Sequence, residues 1–214
     1  MNVLLNSANI VVLAQNYNPS IASKDWLRDK NIIAEQATNF INTPLFSLFE
    51  SQNFLLTVDE NKLEVGLKVV NESNLGTLKQ IVIEYVNKLP HTPYNAVGLN
   101  SSWNIKKPGE EDLTGLIKQK FLPESETKAF NDLVRGAVFP GSIIRYKDGD
   151  FAVKLTIDPI PSIIDNNVVV KEVIGRFNYH CDVGNVEHVK RRVAEVDEKI
   201  RRSKSVLKTL LEKG

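Results

Sequence analysis

A chain of 214 residues, 42% apolar and 25% charged, has the composition of a globular fold, as one large domain or two small ones. No stretch approaches the roughly 18 uninterrupted apolar residues of a membrane-spanning helix, and a net charge of +1 excludes a chain that is basic or acidic throughout. The lone cysteine, Cys181, forms no internal disulfide and no Cys/His metal spacing occurs, so the expectation is a cytoplasmic protein without membrane contact, metal or cofactor.

Residues Met1 to Gln15 lack a basic n-region, and Asn2, Asn6 and Asn9 interrupt their apolar patches, so they make a poor signal peptide. Within them, Asn9 to Asn16 reads as a buried strand. Asn18-Pro19-Ser20 breaks it, and Ser23 caps a short helix, Lys24 to Lys30, with Trp26 and Leu27 on one face. Phe40 to Phe49 turns β-like, with Pro44 arguing for an edge or a break. Phe54, Leu56 and Val58 alternate, as do Leu63, Val65, Leu67 and Val69, which predicts a hairpin with one buried face. Asn74 to Leu89 carries a helical stripe closed by Pro90, and Tyr94 to Ile105 is a strand with Gly98 inside it.

After the turn at Pro108-Gly109, Glu110 to Phe121 is helical by pattern, and Glu124 to Val134 reads as a second short helix. Ser142 to Tyr146 and Phe151 to Ile157 flank an Asp-Gly turn. Pro159 and Pro161 are expected to end the second of these strands. Val168 to Cys181 is the longest strand candidate, and Asn185 caps the terminal helix. The fold class is therefore α+β: a mainly antiparallel sheet from two strand-rich halves, helices on one face, and a long C-terminal helix. A single domain is expected, with halves at 1–107 and 108–185 that suggest duplication of a strand-strand-helix unit, and the helix at 185–213.

Leu89-Pro90, then Tyr94 to Leu99 (Tyr-Asn-Ala-Val-Gly-Leu), then an aromatic-bearing strand, resembles a segment of an uncharacterised protein family sporadically distributed among prokaryotes. The family pattern carries an arginine after Gly-Leu, where this chain has Asn100. The resemblance implies a strand-rich centre closed by a long helix. A sporadic distribution implies an accessory of a mobile or defence system.

The terminal helix carries the strongest pattern. Val186, Val189, Val193, Val196, Ile200, Leu207 and Leu210 recur at alternating steps of three and four, with Ser203 in the vacant slot. About 28 residues of unbroken helix would span roughly 42 Å, more than a small domain needs. Val196, Ile200, Val206, Leu207, Leu210 and Leu211 are thus candidates for an interface with a protein partner or a second copy. The same helix is basic: from Lys190 to Gly214 there are nine Lys or Arg and four Asp or Glu. Lys190, Arg191, Arg192, Arg201, Arg202 and Lys204 are candidates for nucleic-acid contact, although basic residues also complement a helix C-terminus and pair with neighbours.

Catalytic candidates are sparse. His180, Cys181 and Asp182, with His188 nearby, form the one cluster of reactive side chains, but neighbouring strand residues point to opposite faces, which places Cys181 in the core. Asp148, Asp150, Asp158 and Asp165 are turn carboxylates matching no calcium loop, and Gly136 to Gly141 lacks the Lys-Ser/Thr of a phosphate loop. A non-enzymatic protein-binding or assembly module is the leading expectation. A nucleic-acid-binding accessory protein is the alternative.

Overall fold

The computed structural model describes residues 1–122, 139–164 and 167–212. The expected helix at Glu124 to Val134 lies outside the described residues, as do Asp165 and the first half of the Gly136 to Gly141 segment.

Nine strands form one antiparallel sheet. They are β1 (Asn2–Ala14), β2 (Asn39–Asn42), β3 (Phe46–Glu50), β4 (Phe54–Asp59), β5 (Lys62–Leu67), β6 (Tyr94–Lys106), β7 (Ser142–Asp148), β8 (Phe151–Ile164) and β9 (Asn167–Asp182). Their spatial order is β2-β3-β4-β5-β1-β6-β9-β8-β7. Among the described residues five α-helices accompany them: α1 (Lys24–Asp29), α2 (Glu72–Asn87), α3 (Thr114–Phe121), α4 (Val186–Ala194) and α5 (Val196–Glu212).

The layout is written twice. A first strand (β1 or β6) leads through a short helix (α1 or α3) into a meander. The last strand of the meander (β5 or β9) returns beside the first, and a longer helical segment follows. The two first strands pair with each other at the centre, Asn9 opposite Asn100.

Alternation decides which side is covered. One row crosses all nine strands: Phe40, Phe49, Leu56, Val65, Ile10, Leu99, Tyr179, Val153 and Tyr146. It lies under the helices, and Leu56, Val65 and Ile10 are fully buried. The expected buried faces of the two hairpins are as read except at Val69, which lies beyond the end of β5 and is exposed. Phe54, Leu56, Val58, Leu63, Val65, Phe151, Val153, Leu155 and Ile157 are all buried and Leu67 is half-buried, while Lys154 is exposed and Thr156 half-buried.

Caps and ends follow local chemistry. Ser23 Oγ accepts from the N–H of Trp26, Asn71 Oδ1 from Asn74, and Asn185 Oδ1 from His188, each satisfying a donor that the first helical turn leaves open. α2 packs on β5, β1 and α4; α5 packs on β6, β1 and β9.

Three expectations are corrected. β8 does not stop at Pro159 and Pro161 but runs to Ile164. Its pairing with β7 ends at Ile157, so beyond that point β9 is its one partner strand among the described residues and a missing proline N–H on the other side costs no ladder bond; a bulge separates Ile160 from Pro161. The helix expected over 110–121 begins at Thr114, preceded by a 3-10 turn at Pro108–Glu110. The terminal helix is not one rod. It breaks at Glu195, whose N–H turns back to the carbonyls of Arg192 and Val193. α4 packs on both α2 and β6, and α5 on β6, β1 and β9.

Gly175 on β9 lets α5 sit close. A Cβ there would fall 2.8 Å from Leu207 Cδ2 and 3.1 Å from Leu207 Cδ1, inside van der Waals contact.

Candidate functional site: the uncovered face of the sheet

The apolar seam of the terminal segment closes on its own protein. Val189, Val193, Val196, Ile200, Leu207 and Leu211 are buried in the core, and Ser203 is buried with them. Ser203 donates to the Lys199 carbonyl (2.8 Å), so the buried Tyr179 hydroxyl is the donor in its 3.1 Å contact with Ser203 Oγ. Of the six interface candidates, Val196, Ile200, Leu207 and Leu211 therefore face the sheet. Val206 and Leu210 remain half-buried, beside Arg202, Ser205 and Thr209 on the outer surface of α5.

The basic candidates divide in the same way. Lys190 pairs with Glu187 at 3.1 Å, Arg192 with Asp150 and Glu195, and Arg202 with Asp148 at 3.0 Å. Arg191, Arg201 and Lys204 are exposed and carry no ion pair among the described residues. Half of the positive charge on this helix is thus compensated within the chain, a common arrangement for a solvated helix face.

Asp148 and Lys199 anchor α5 to the β7–β8 hairpin. Lys199 Nζ lies 3.2 Å from Asp148 Oδ2 and 3.6 Å from Glu195 Oε2, and sits 5.0 Å from the centre of the Phe151 ring. Both residues are buried. The tyrosines packed around this cluster are shifted: burial pushes the hydroxyls of Tyr179 and Tyr146 up. Of the carboxylates read as turn residues, Asp148 and Asp158 lie instead within β7 and β8, and Asp150 is in the turn between them; Asp148 and Asp150 pair as above, and Asp158 pairs with Arg176 at 2.9 Å. Among the described residues there is no cluster of three or more His, Cys, Asp or Glu that could hold a metal.

His180 and Cys181 point to opposite faces, as the alternation requires. His180 Nε2 meets Asp182 Oδ1 at 3.2 Å on the open side, and Cys181 is buried on the helix side. Burial raises the Cys181 thiol, and the nearby Arg192 only partly offsets this. A buried thiol with a raised pKa is a poor nucleophile. Cys181 is therefore expected to resist iodoacetamide in the folded protein and to react fully in denaturant. Rapid alkylation of the native protein, measured by mass, would show that β9 opens in solution.

Among the described residues no helix lies on the other face of the sheet, and its centre is mostly polar. A second row, one step from the buried one, runs Leu55, Gly66, Asn9, Asn100, Asn178, Lys154 and Arg145 from β4 to β7. Its asparagines are joined. Asn178 Nδ2 donates to Asn100 Oδ1 (2.6 Å), Asn100 Nδ2 to Asn9 Oδ1 (2.6 Å), and Asn9 Nδ2 to Glu64 Oε1 (2.8 Å). The Glu64 carboxylate, itself paired with Lys62 at 3.0 Å, only accepts, and so orients every amide in the chain. Each amide donates one N–H along the row and has a second to offer.

Beside this row, the short side chains of Ser7 and Ser102 leave a shallow depression of about 300 Å³, flanked by Lys154, Thr156 and Arg176. A second depression, of about 410 Å³, lies toward Lys106 and Lys107, and Asn104 on its wall has a buried Oδ1 with no hydrogen-bond partner among the described residues. Lys154, Arg145 and Lys147 are exposed and carry no ion pair among the described residues.

Sequence reasoning missed this row. Each asparagine occupies the polar slot of an alternating strand and reads singly as an ordinary exposed residue. Their alignment depends on pairing between strands as distant as β1, β6 and β9, a property of topology. No family model and no curated protein matches the chain. No helix among the described residues is long and apolar enough to cross a membrane.

Proposed function

We propose that the protein is a non-enzymatic binding module that meets its partner through the uncovered face of the sheet. The observation that carries this reading is the hydrogen-bonded row Glu64–Asn9–Asn100–Asn178, held on a sheet face that no described helix covers. Rigid strands fix these amides relative to one another, so little conformational entropy is lost when a ligand meets them. The terminal helix offers less: its seam is buried, and Val206 and Leu210 are what remains of the candidate interface on its outer surface.

Photo-crosslinking in the native host separates the two surfaces. A photoreactive residue placed at Ser102 samples the sheet face, and one placed at Lys208 samples the exposed side of α5. The sheet-face reading expects discrete adducts from Ser102 and none from Lys208. Adducts from Lys208 alone would transfer the function to the helix.

A further inference from the structure

We propose that the bare sheet face docks the minor groove of a nucleic-acid duplex, with Asn9, Asn100 and Asn178 against base edges and Lys154, Arg145 and Lys147 on phosphates. The proposal rests on the sheet-face reading and names its ligand.

The middle of the face is amide and hydroxyl. Protein–protein interfaces show the reverse, an apolar centre with a polar rim. Binders of single-stranded nucleic acid stack bases on exposed aromatic rings. Along the open side of the described strands the one Phe, Tyr or Trp is Phe46 on β3, at the far end from the cations, and the His180 ring on β9 is held by Asp182. A duplex offers the complementary chemistry. Its minor-groove edge presents the adenine N3 and thymine or uracil O2 acceptors, and each asparagine has an N–H left to donate. From Asn9 to Asn178 is two strand spacings, about 10 Å. That equals about three base-pair steps at 3.4 Å each. Lys154 and Arg145 continue the same row by another two strands, and Lys147 stands beside Arg145 on β7. With no carboxylate paired to them among the described residues, these cations are available to phosphate. A guanine N2 amino group would oppose an amide N–H, so A·T or A·U pairs are favoured over G·C.

The test is fluorescence anisotropy of the full chain with 16-base-pair duplexes of DNA and of RNA, A·T(U)-rich and G·C-rich, and with the matching single strands. Three phosphate contacts predict a slope of about −2.7 in log affinity against log salt on DNA, about a 40-fold weakening from 50 to 200 mM. The triple reversal Arg145→Glu, Lys147→Glu, Lys154→Glu is expected to lower affinity at least tenfold and flatten the slope. Asn100→Ala is expected to keep the slope and abolish an A·T(U) preference of about tenfold. The DNA and RNA arms show which duplex supplies the groove, and binding to either supports the proposal. The wild-type slope and base preference require no variant, so a misfolded mutant leaves the test intact. Equal or tighter binding to single strands, no base preference, or no binding to either duplex at 50 mM salt would overturn it. A protein adduct from Ser102 combined with no duplex binding would remove the nucleic acid and leave the sheet-face reading standing.

Discussion

Leu207→Asp is expected to unfold the protein, while Leu210→Asp leaves it folded. Leu207 is fully buried and its methyl groups lie over Gly175 of β9. Removing a buried leucine side chain costs about 2–5 kcal/mol before any charge is considered. A carboxylate left in that apolar site adds several kcal/mol or takes up a proton to avoid it. Domains are stable by only about 5–15 kcal/mol, so the sum removes most or all of the folded state. Leu210, one step round the helix, is half-buried, and its replacement costs about 1 kcal/mol. Thermal denaturation followed by circular dichroism compares the two. A Leu207→Asp protein that melts like the wild type but sediments as a smaller particle would show instead that the seam joins two chains.

The second large effect is an asymmetry at the buried ion pair. Asp148→Ala leaves the Lys199 ammonium, on a side chain only 6% exposed, with Glu195 at 3.6 Å and Glu198 at 3.8 Å as its remaining carboxylates. Breaking a buried pair from one side costs about 3–5 kcal/mol, because the stranded charge stays desolvated. Arg202 loses its 3.0 Å partner as well. Lys199→Met is different. The thioether chain fills much the same volume beside Phe151 and Tyr179, and Asp148 keeps Arg202. The cost there is expected below about 1.5 kcal/mol. Urea unfolding of the two variants measures the difference. Equal losses would mean that the ammonium itself stabilises the fold, rather than only needing a partner once buried.

The layered architecture was legible because period-two alternation is a local property. Phe54, Leu56 and Val58, or Phe151, Val153 and Leu155, name their buried face without reference to any partner strand. The caps at Ser23 and Asn185 were legible for the same reason. Three features were not. Pro159 and Pro161 read as strand terminators because nothing local reveals that β7 stops at Ile157 and leaves β8 an edge. The seam from Val186 to Leu210 looks identical whether it meets its own sheet or another chain, since a heptad records burial and not the identity of what buries it. The glycine at position 175 is the matching half of that contact, but it lies on a strand rather than on the helix. The asparagine row was the least visible, since it exists only once β1, β6 and β9 stand side by side.

Everything proposed for function depends on one geometric statement: the helix side of the sheet is closed by the chain's own terminal segment, and no described helix covers the opposite side. Solvent paramagnetic relaxation enhancement, with a soluble gadolinium chelate added to isotopically labelled protein, measures this residue by residue. The account predicts strong broadening of the side-chain amide signals of Asn100 and Asn178. It also predicts near-complete protection of the methyl signals of Val196, Ile200 and Leu207. Protected asparagine amides together with broadened α5 methyls would contradict it, and would place the contact surface on the terminal helix.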